Sequence, residues 1–205
     1  MSLSLFTQGG PMVWVLLLLS AVAAAVFCER MFHLHRSQIN AGEFLNGVRT
    51  VLRRDNVVEA VSICDATPGP VARLVKAAIL NRDKGREAVR EAVEQTGLFE
   101  VPMLEQRLNF LGGCAQLAPL LGLLGTVLGF IKAFGAMQDA GLYAHASQLS
   151  GGIWQSLIST AAGLTVAVPC YAAHNYLVSR VNTIVLDMER AATEIVNLVG
   201  GPDRA

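Results

Sequence analysis

Three long runs of apolar residues divide the chain, and nearly all of its charged residues lie between or after them. An α-helix needs about 20 apolar residues to cross ~30 Å of hydrocarbon. The apolar runs at residues 11–28, 108–134 and 152–178 therefore predict three transmembrane helices. The rest of the chain falls into four connecting segments, at residues 1–10, 29–107, 135–151 and 179–205.

The polar segment at 29–107 alternates helical patterns with short breaks. Its predicted elements are helical stretches at 42–54, 56–66, 71–82 and from 86 onward, with a turn at 67–70. The 71–82 stretch carries Leu74, Val75, Ala78 and Ile79 on one face. The pattern from residue 85 to 138 is compatible with one helix of roughly 80 Å, which Pro102 bends without ending. The third apolar run continues past Arg180 with apolar residues at spacings of three and four. Because no strand-like alternation competes, we expect an all-α protein with two very long helices.

Composition supports a membrane protein. Hydrophobic residues make up 53% of the 205 residues, the mean hydropathy is +0.46, and only 16% of residues are charged. Soluble domains carry roughly 25% charged residues to cover their surface. The formal net charge of zero also lacks the basic excess of a nucleic-acid-binding protein. We therefore expect the lipid bilayer, and no nucleic acid, as a partner.

Basic residues near the ends of the apolar runs predict the orientation. The amino-terminal tail and the loop after Lys132 contain no Lys or Arg, whereas Arg30, Arg36, Arg107 and Arg180 flank the runs elsewhere. Basic residues favour the cytoplasmic side. The amino terminus and the short loop are therefore predicted outside, and the 29–107 segment, the carboxyl terminus and the extensions of the second and third helices are predicted in the cytoplasm.

The first run could instead be a cleaved signal peptide. It lacks a basic n-region, and its apolar stretch is longer than the usual ~7–15 residues. These two features favour a retained transmembrane helix.

The sequence indicates no metal site, cofactor site or enzyme. The four cysteines show no CxxC spacing. Ser159 and His174 are candidates for a serine hydrolase, but fifteen residues of one helix put them ~22 Å apart. The glycines of the second run neither follow a strand nor have dinucleotide-binding spacing.

Small and polar residues form one stripe on each of the last two spans, at helical spacings of three and four. The second span contributes Ala115, Pro119, Gly122, Thr126, Gly129 and Ala133, and the third contributes Ser156, Thr160, Gly163, Ala167, Cys170 and His174. Small residues favour close helix packing in membranes. The same stripes are also compatible with the wall of a pathway or a groove for another helix.

The spans lack an intramembrane acid. Residues 108–131 and 140–179 contain no Asp, Glu, Lys or Arg, and Gln155 cannot titrate. Proton pathways usually use intramembrane Asp, Glu, His or Lys, and only His174 and Lys132 are near, toward span ends. If the chain helps to move protons, the central acid must come from another polypeptide.

The segments 118–129 (APLLGLLGTVLG) and 157–169 (LISTAAGLTVAVP) resemble the signatures of the second and third spans in the MotA/TolQ/ExbB proton-channel family. Within this family the resemblance is strongest to ExbB and next strongest to TolQ. The pair Glu29-Arg30 after the first span and the segment 104–108 (LEQRL) before the second also fit, and the resemblance covers essentially the whole chain.

The resemblance implies a multi-pass protein of the bacterial inner membrane, with a periplasmic amino terminus. It also implies a homopentamer around single-span helices of an ExbD- or TolR-like partner, whose membrane Asp supplies the missing acid. A TonB-like protein would transmit the energy to the outer membrane. The implied proton pathway or pore lining is Thr126, Thr160, Ser156 and His174. The implied partner-helix contact stripe is Ala115, Pro119, Gly122, Gly129, Gly163 and Ala167.

Two positions depart from the family pattern. Gln155 stands where several members have Glu, and His174 stands where Tyr is frequent, before Asn175. His174 is therefore either an interfacial proton acceptor or a hydrogen-bonded interface residue. Three functions remain open: an ExbB-like motor subunit, a TolQ-like subunit for envelope maintenance, and a non-conducting scaffold for a TonB-like partner.

Overall fold

A computed structural model describes residues 10–140 and 146–199, with side chains for 10–138 and 150–199. Over these ranges the chain is helical apart from short connections, which confirms the all-α prediction. The helices are α1 (Pro11–Ser37), α2 (Ala41–Leu52), α3 (Val57–Ala66), α4 (Pro70–Leu80), α5 (Arg86–Glu105), α6 (Leu108–Ala140) and α7 (Ala146–Val199), with a 3₁₀ turn at Arg82–Lys84.

The helices form two compact units. The described part of the first unit, the membrane unit, consists of residues 10–29, 107–140 and 146–176. The described part of the second, the extramembrane unit, consists of residues 30–106 and 177–199.

The extramembrane unit is an ordinary helical bundle with capped helices and an aliphatic core. Asn56 caps α3: its Oδ1 accepts from the Glu59 N–H at 3.3 Å, and its Nδ2 donates to Glu59 Oε2 at 2.8 Å. Asn40 accepts similarly from the Glu43 N–H at the start of α2. The core includes large apolar residues of α2, α4, α5 and α7, among them Val48, Leu74, Val75, Ile79, Val89, Ile184 and Ile195. The expected apolar face of α4 is therefore confirmed.

Ion pairs surround this core. Glu100 of α5 is buried and accepts from both Arg73 Nε, at 2.5 Å, and Arg73 Nη2, at 2.6 Å. Such a pair compensates the cost of burying the carboxylate. Arg90 and Glu94, in contrast, form an exposed i,i+4 pair at 2.9 Å on the outer surface. The neighbouring carboxylates raise the pKa of Arg90, first through its hydrogen bond to Glu94.

The membrane unit exposes large apolar side chains. Three helical stretches are long and apolar enough to cross a membrane, and they contain the three predicted runs. Outward-facing residues of α6 include Leu117, Leu120, Leu123, Leu124 and Val127, all exposed. An exterior covered by leucine and valine is stable in lipid and unfavourable in water.

The long-helix predictions have different outcomes. α7 is one helix of 54 residues that contains Pro169, so the third helix does extend well beyond its span. The stretch from 85 to 138, whose pattern is compatible with one helix, is helical over nearly its whole length but is interrupted at Gln106 and Arg107, between α5 and α6. Arg107 has φ 66°, a left-handed conformation that costs energy for a residue with a side chain. Pro102 lies inside α5 and does not end it.

The helices are also longer than the predicted connections allowed. α6 continues to Ala140 and α7 begins at Ala146, so most of the predicted 135–151 loop is helical. The predicted outer tail, apart from Gly10, lies outside the described residues, as do 141–145 and 200–205.

Candidate functional site

The two predicted stripes face each other inside one chain. The backbones of α6 and α7 approach closely at Gly122 and Gly163: a Cβ on Gly163 would lie 2.7 Å from the Ala118 carbonyl oxygen and 2.9 Å from Gly122 Cα. Real Cβ atoms do not occupy such positions, so this packing requires glycine at 163. A Cβ on Gly122 would lie 3.1 Å from the Ser159 carbonyl oxygen, which is a tight contact.

The close packing continues toward the α6–α7 connection. A Cβ on Gly129 would lie 2.8 Å from Ser156 Cβ, and a Cβ on Gly152 would lie 3.1 Å from Ala133 Cα. Ser156 is fully buried here, and its hydroxyl donates to the Ile153 carbonyl at 2.7 Å within the same helix. The predicted pore-lining residue Ser156 is thus inside the packed interface of the single chain.

A second serine, Ser159, lies against Gly125. Any Cβ on Gly125 would overlap the Ser159 Oγ atom and lie 2.7 Å from its Cβ. The Ser159 side chain is 1% exposed, and its hydroxyl has no hydrogen-bond partner. The sequence interpretation considered Ser159 only as a nucleophile and did not include Gly125 in the stripe. The sequence did contain a signal for this pairing, because both residues are small and lie close to the stripes. Ser159 directly precedes Thr160, and Gly125 lies about one helical turn after Gly122.

The predicted threonines lie at the margin of this interface. Thr160 is half-buried, and its hydroxyl lies 3.5 Å from the carbonyl oxygens of Gly122 on α6 and Ser156 on α7. Thr126 is also half-buried, and its hydroxyl donates to the Leu123 carbonyl. A threonine hydroxyl both donates and accepts, so these groups can order water or pass a proton to a neighbour.

The other end of the interface contains His174. The imidazole is half-buried against the backbone of Gly112, where an added Cβ would lie 3.0 Å from Nε2. Gly112 thus makes room for the ring, a pairing that the spacing of the stripes did not reveal. The buried thiols of Cys114 and Cys170 lie between this contact and the glycine pair.

The remaining stripe residues pack in the same interface. Ala115 is 7% exposed, Ala167 joins Ala118 and Leu16 of α1 in one cluster, and Pro119 is half-buried. The expected close helix packing therefore exists within the chain. Contact of these residues with a partner's helix stays a prediction.

An ion pair closes the membrane unit where the spans end. Arg107 Nη1 donates to both carboxylate oxygens of Glu29, which joins the end of the first apolar run to the start of α6. Both side chains are about half exposed, so the pair contributes little to stability and does not by itself account for the left-handed conformation of Arg107.

The candidate site provides hydroxyl groups for proton transfer but no carboxylic acid. No group of three or more His, Cys, Asp or Glu side chains that could hold a metal occurs in the part of the chain that the structure describes. The spans offer serine and threonine hydroxyls and one imidazole, which can relay a proton but cannot act as the central carboxylate.

Comparison with known proteins agrees with this chemistry. The family model described as the MotA/TolQ/ExbB proton channel family matches residues 66–190. An ExbB homolog from Methanothermobacter thermautotrophicus is 24% identical over 88% of this chain and 64% of its own length. The biopolymer transport protein ExbB-like 1 of Synechocystis is 34% identical over 85% of this chain and 69% of its own. The TolQ protein of the Tol-Pal system in Haemophilus influenzae is 38% identical, over 49% of this chain and 43% of its own length.

Proposed function

The chain belongs to the MotA/TolQ/ExbB proton channel family, and on that premise we propose that it forms the channel wall of an inner-membrane motor. The motor uses the proton motive force to energise a TonB-type protein for outer-membrane transport. The relatives named for biopolymer transport support this assignment, because they align with most of this chain.

One observation carries the proposal: a hydroxyl-bearing interface between α6 and α7 in spans that contain no carboxylate. A proton crossing a membrane needs a titratable carrier at depth. The carrier is then the membrane Asp of a single-span partner that resembles ExbD or TolR. Its helix lies beside Thr126 and Thr160, where the hydroxyls accept hydrogen bonds from the protonated acid and donate to the ionised one.

The assembly is a ring of identical copies, a homopentamer, around the partner's helices. The amino terminus and the short α6–α7 connection lie in the periplasm, and the extramembrane unit lies in the cytoplasm. The distribution of Lys and Arg supports this orientation. His174, beside Gly112, is then near the cytoplasmic end of the pathway, where it takes up the proton or holds the interface.

The TolQ relative supports a second candidate function, because its identity over the shared part is higher than that of the ExbB-like relatives. In that case the same channel would power a system that maintains the envelope. Deletion of the gene separates the two, because loss of TonB-dependent uptake indicates the first function and loss of envelope integrity the second.

Proton flux tests the proposed activity. The chain, co-purified with its single-span partner, is reconstituted in liposomes, and a membrane potential is imposed while internal pH is recorded. We expect flux from the complex and none from the chain alone, since the acid belongs to the partner. A complex that stays intact and conducts no protons would instead be a scaffold.

A further inference from the structure

α5 has two apolar faces, and the extramembrane core covers only one of them. Val89, Val93 and Leu104 are buried in the bundle. On the opposite side, Leu98 is 75% exposed, Phe99 is 76% exposed and Met103 is 62% exposed. These three residues, which we call the α5 patch, lie within two turns of one helix. Large apolar side chains grouped in this way mark an interaction surface.

A second apolar group lies on α1, beyond the end of its span. Phe32 is 72% exposed, and Met31 is also exposed. The exposed residues His35 and Arg36 lie one turn further along the same side of the helix. Phe32 and Arg36, with their two neighbours Met31 and His35, form the α1 patch. Both patches are exposed in the same chain, so they do not cover each other.

The two patches carry opposite charge. Between Arg90 and Arg107 the chain has no Lys or Arg, and the exposed acids Glu91 and Glu105 flank the α5 patch, together with Glu94, which is paired with Arg90. From Arg30 to residue 42 the chain has no Asp or Glu, and Arg36 is exposed. An apolar centre with charges of opposite sign at the rim is the pattern of a specific protein interface.

The two patches also lie near one another's level along the helices of the extramembrane unit. Arg30 Nη2 donates to Gln106 Oε1 at 3.3 Å, which brings this part of α1 beside the end of α5. Phe32 is two residues from Arg30 and Met103 is three residues from Gln106, or about 3 Å and 4.5 Å along their helices. Copies inserted alike in one bilayer are related by an axis along its normal, so matching levels are kept between copies.

We propose that the α5 patch of each copy docks on the α1 patch of the next copy, and that this contact joins the ring. It rests on the ring proposed above and adds which surfaces form it. The contact is heterologous, so it repeats around a closed ring and leaves no patch uncovered. Phe32 packs against Met103, and Arg36 lies over the ring of Phe99.

The charge argues against the bilayer as the occupant of the α5 patch. The cytoplasmic leaflet is negatively charged and attracts basic segments. The α5 patch is flanked by Glu91 and Glu105, whose charges the leaflet would repel, and by Glu94, which is paired with Arg90.

Crosslinking of mixed copies tests the contact. Every copy carries Cys28→Ser to remove the exposed cysteine, and one population also carries Phe32→Cys while the other carries Met103→Cys. Both are co-expressed with the partner protein and oxidised in membranes. We expect a disulfide-linked dimer in the mixture and none from either population alone. Dimers from one population alone would indicate a two-fold contact and overturn the head-to-tail arrangement.

Particle mass provides the second readout. Phe99→Glu with Met103→Glu should convert the ring into monomers, whereas Val58→Glu, at a residue that is 81% exposed elsewhere, should leave the ring intact. A ring that persists in the double variant, with no dimer in the mixture, would overturn the proposed contact but not the ring. Quenching by brominated lipid of a fluorophore attached to Met103→Cys would show that the α5 patch lies in the bilayer, and this result would also overturn the proposed contact. A monomeric unmodified chain would instead contradict the ring itself.

Discussion

Each of the two units is stabilised internally by a different kind of packing. The extramembrane unit buries valine, leucine and isoleucine in a core and, apart from Arg30 and Glu100, places its charges outside. The membrane unit buries glycine, alanine and serine between α6 and α7 and places its leucines outside. Water drives burial of large apolar groups, whereas in lipid the close approach of helices provides the contacts. The residues that each unit cannot lose are therefore different.

The largest effect is expected from a cavity in the extramembrane core. Ile79 is 1% exposed, so Ile79→Ala should destabilise that unit by about 2–5 kcal/mol. The next residue, Leu80, is 59% exposed, and Leu80→Ala should change stability by no more than about 0.5 kcal/mol. Urea unfolding in detergent, followed by circular dichroism, measures both, because the micelle protects the membrane helices. Equal midpoints would show that the unit has no tightly packed core.

A smaller loss is expected from a single methyl group in the membrane unit. Gly163→Ala places a Cβ against Ala118 and Gly122, and overpacking of this kind costs about 1–3 kcal/mol. Gly113 has open space around its Cα, so Gly113→Ala is the matched control. Unfolding in SDS, followed by tryptophan fluorescence, compares the two. If both variants unfold alike, the glycines do not form the close contact on which the site depends.

The subtlest effect concerns a thiol inside the extramembrane core. Burial, with a smaller contribution from Asp65, raises the pKa of Cys64 from 9.0 to about 11. The thiolate fraction at pH 8 is then about 100-fold lower in the folded chain than in the unfolded one. Alkylation of Cys64 at pH 8, relative to the same reaction in urea, should be slowed at least that much. The exposed Cys28 serves as the internal control.

The same shift gives a pH dependence with a defined sign. Because the unfolded chain loses the Cys64 proton first, its contribution to stability is complete below pH 9 and is lost as the pH rises toward about 11. Cys64→Ala should remove this part of the alkaline decline. An unchanged decline would show that the thiol is not protected by the core.

The sequence predicted the features that depend on the periodic spacing of apolar and small residues along a helix. Spacings of three and four located the apolar face of α4 and both small-residue stripes, and the bounds of the short helices were close. The caps Asn40 and Asn56 carry local signals in the glutamates three residues after them. Helix faces and ends of this kind depend on neighbours in sequence.

The rest depended on contacts between distant residues. Arg107 is no helix breaker by itself, and neither its left-handed conformation nor its ion pair with Glu29, far away in sequence, has a local signal. The pairing of Ser159 with Gly125 depends on how α6 is rotated against α7, which spacing along one helix does not fix. The same holds for the fit of His174 against Gly112. The sequence therefore predicted the stripes and not their partners.

The central claim is that hydroxyls at the α6–α7 margin take part in proton transfer with an acid from the partner. It is tested most directly by proton flux through liposomes that contain the complex with Thr160→Val, Thr160→Ser or Thr165→Val. The Thr165 hydroxyl is exposed on another side of α7 and donates to its own helix at Ala161. A positioned proton-transfer group typically contributes ~10²–10⁴-fold, so Thr160→Val should reduce flux by about tenfold or more. Thr160→Ser and Thr165→Val should conduct nearly as the unmodified complex does. Full flux from Thr160→Val would contradict the account.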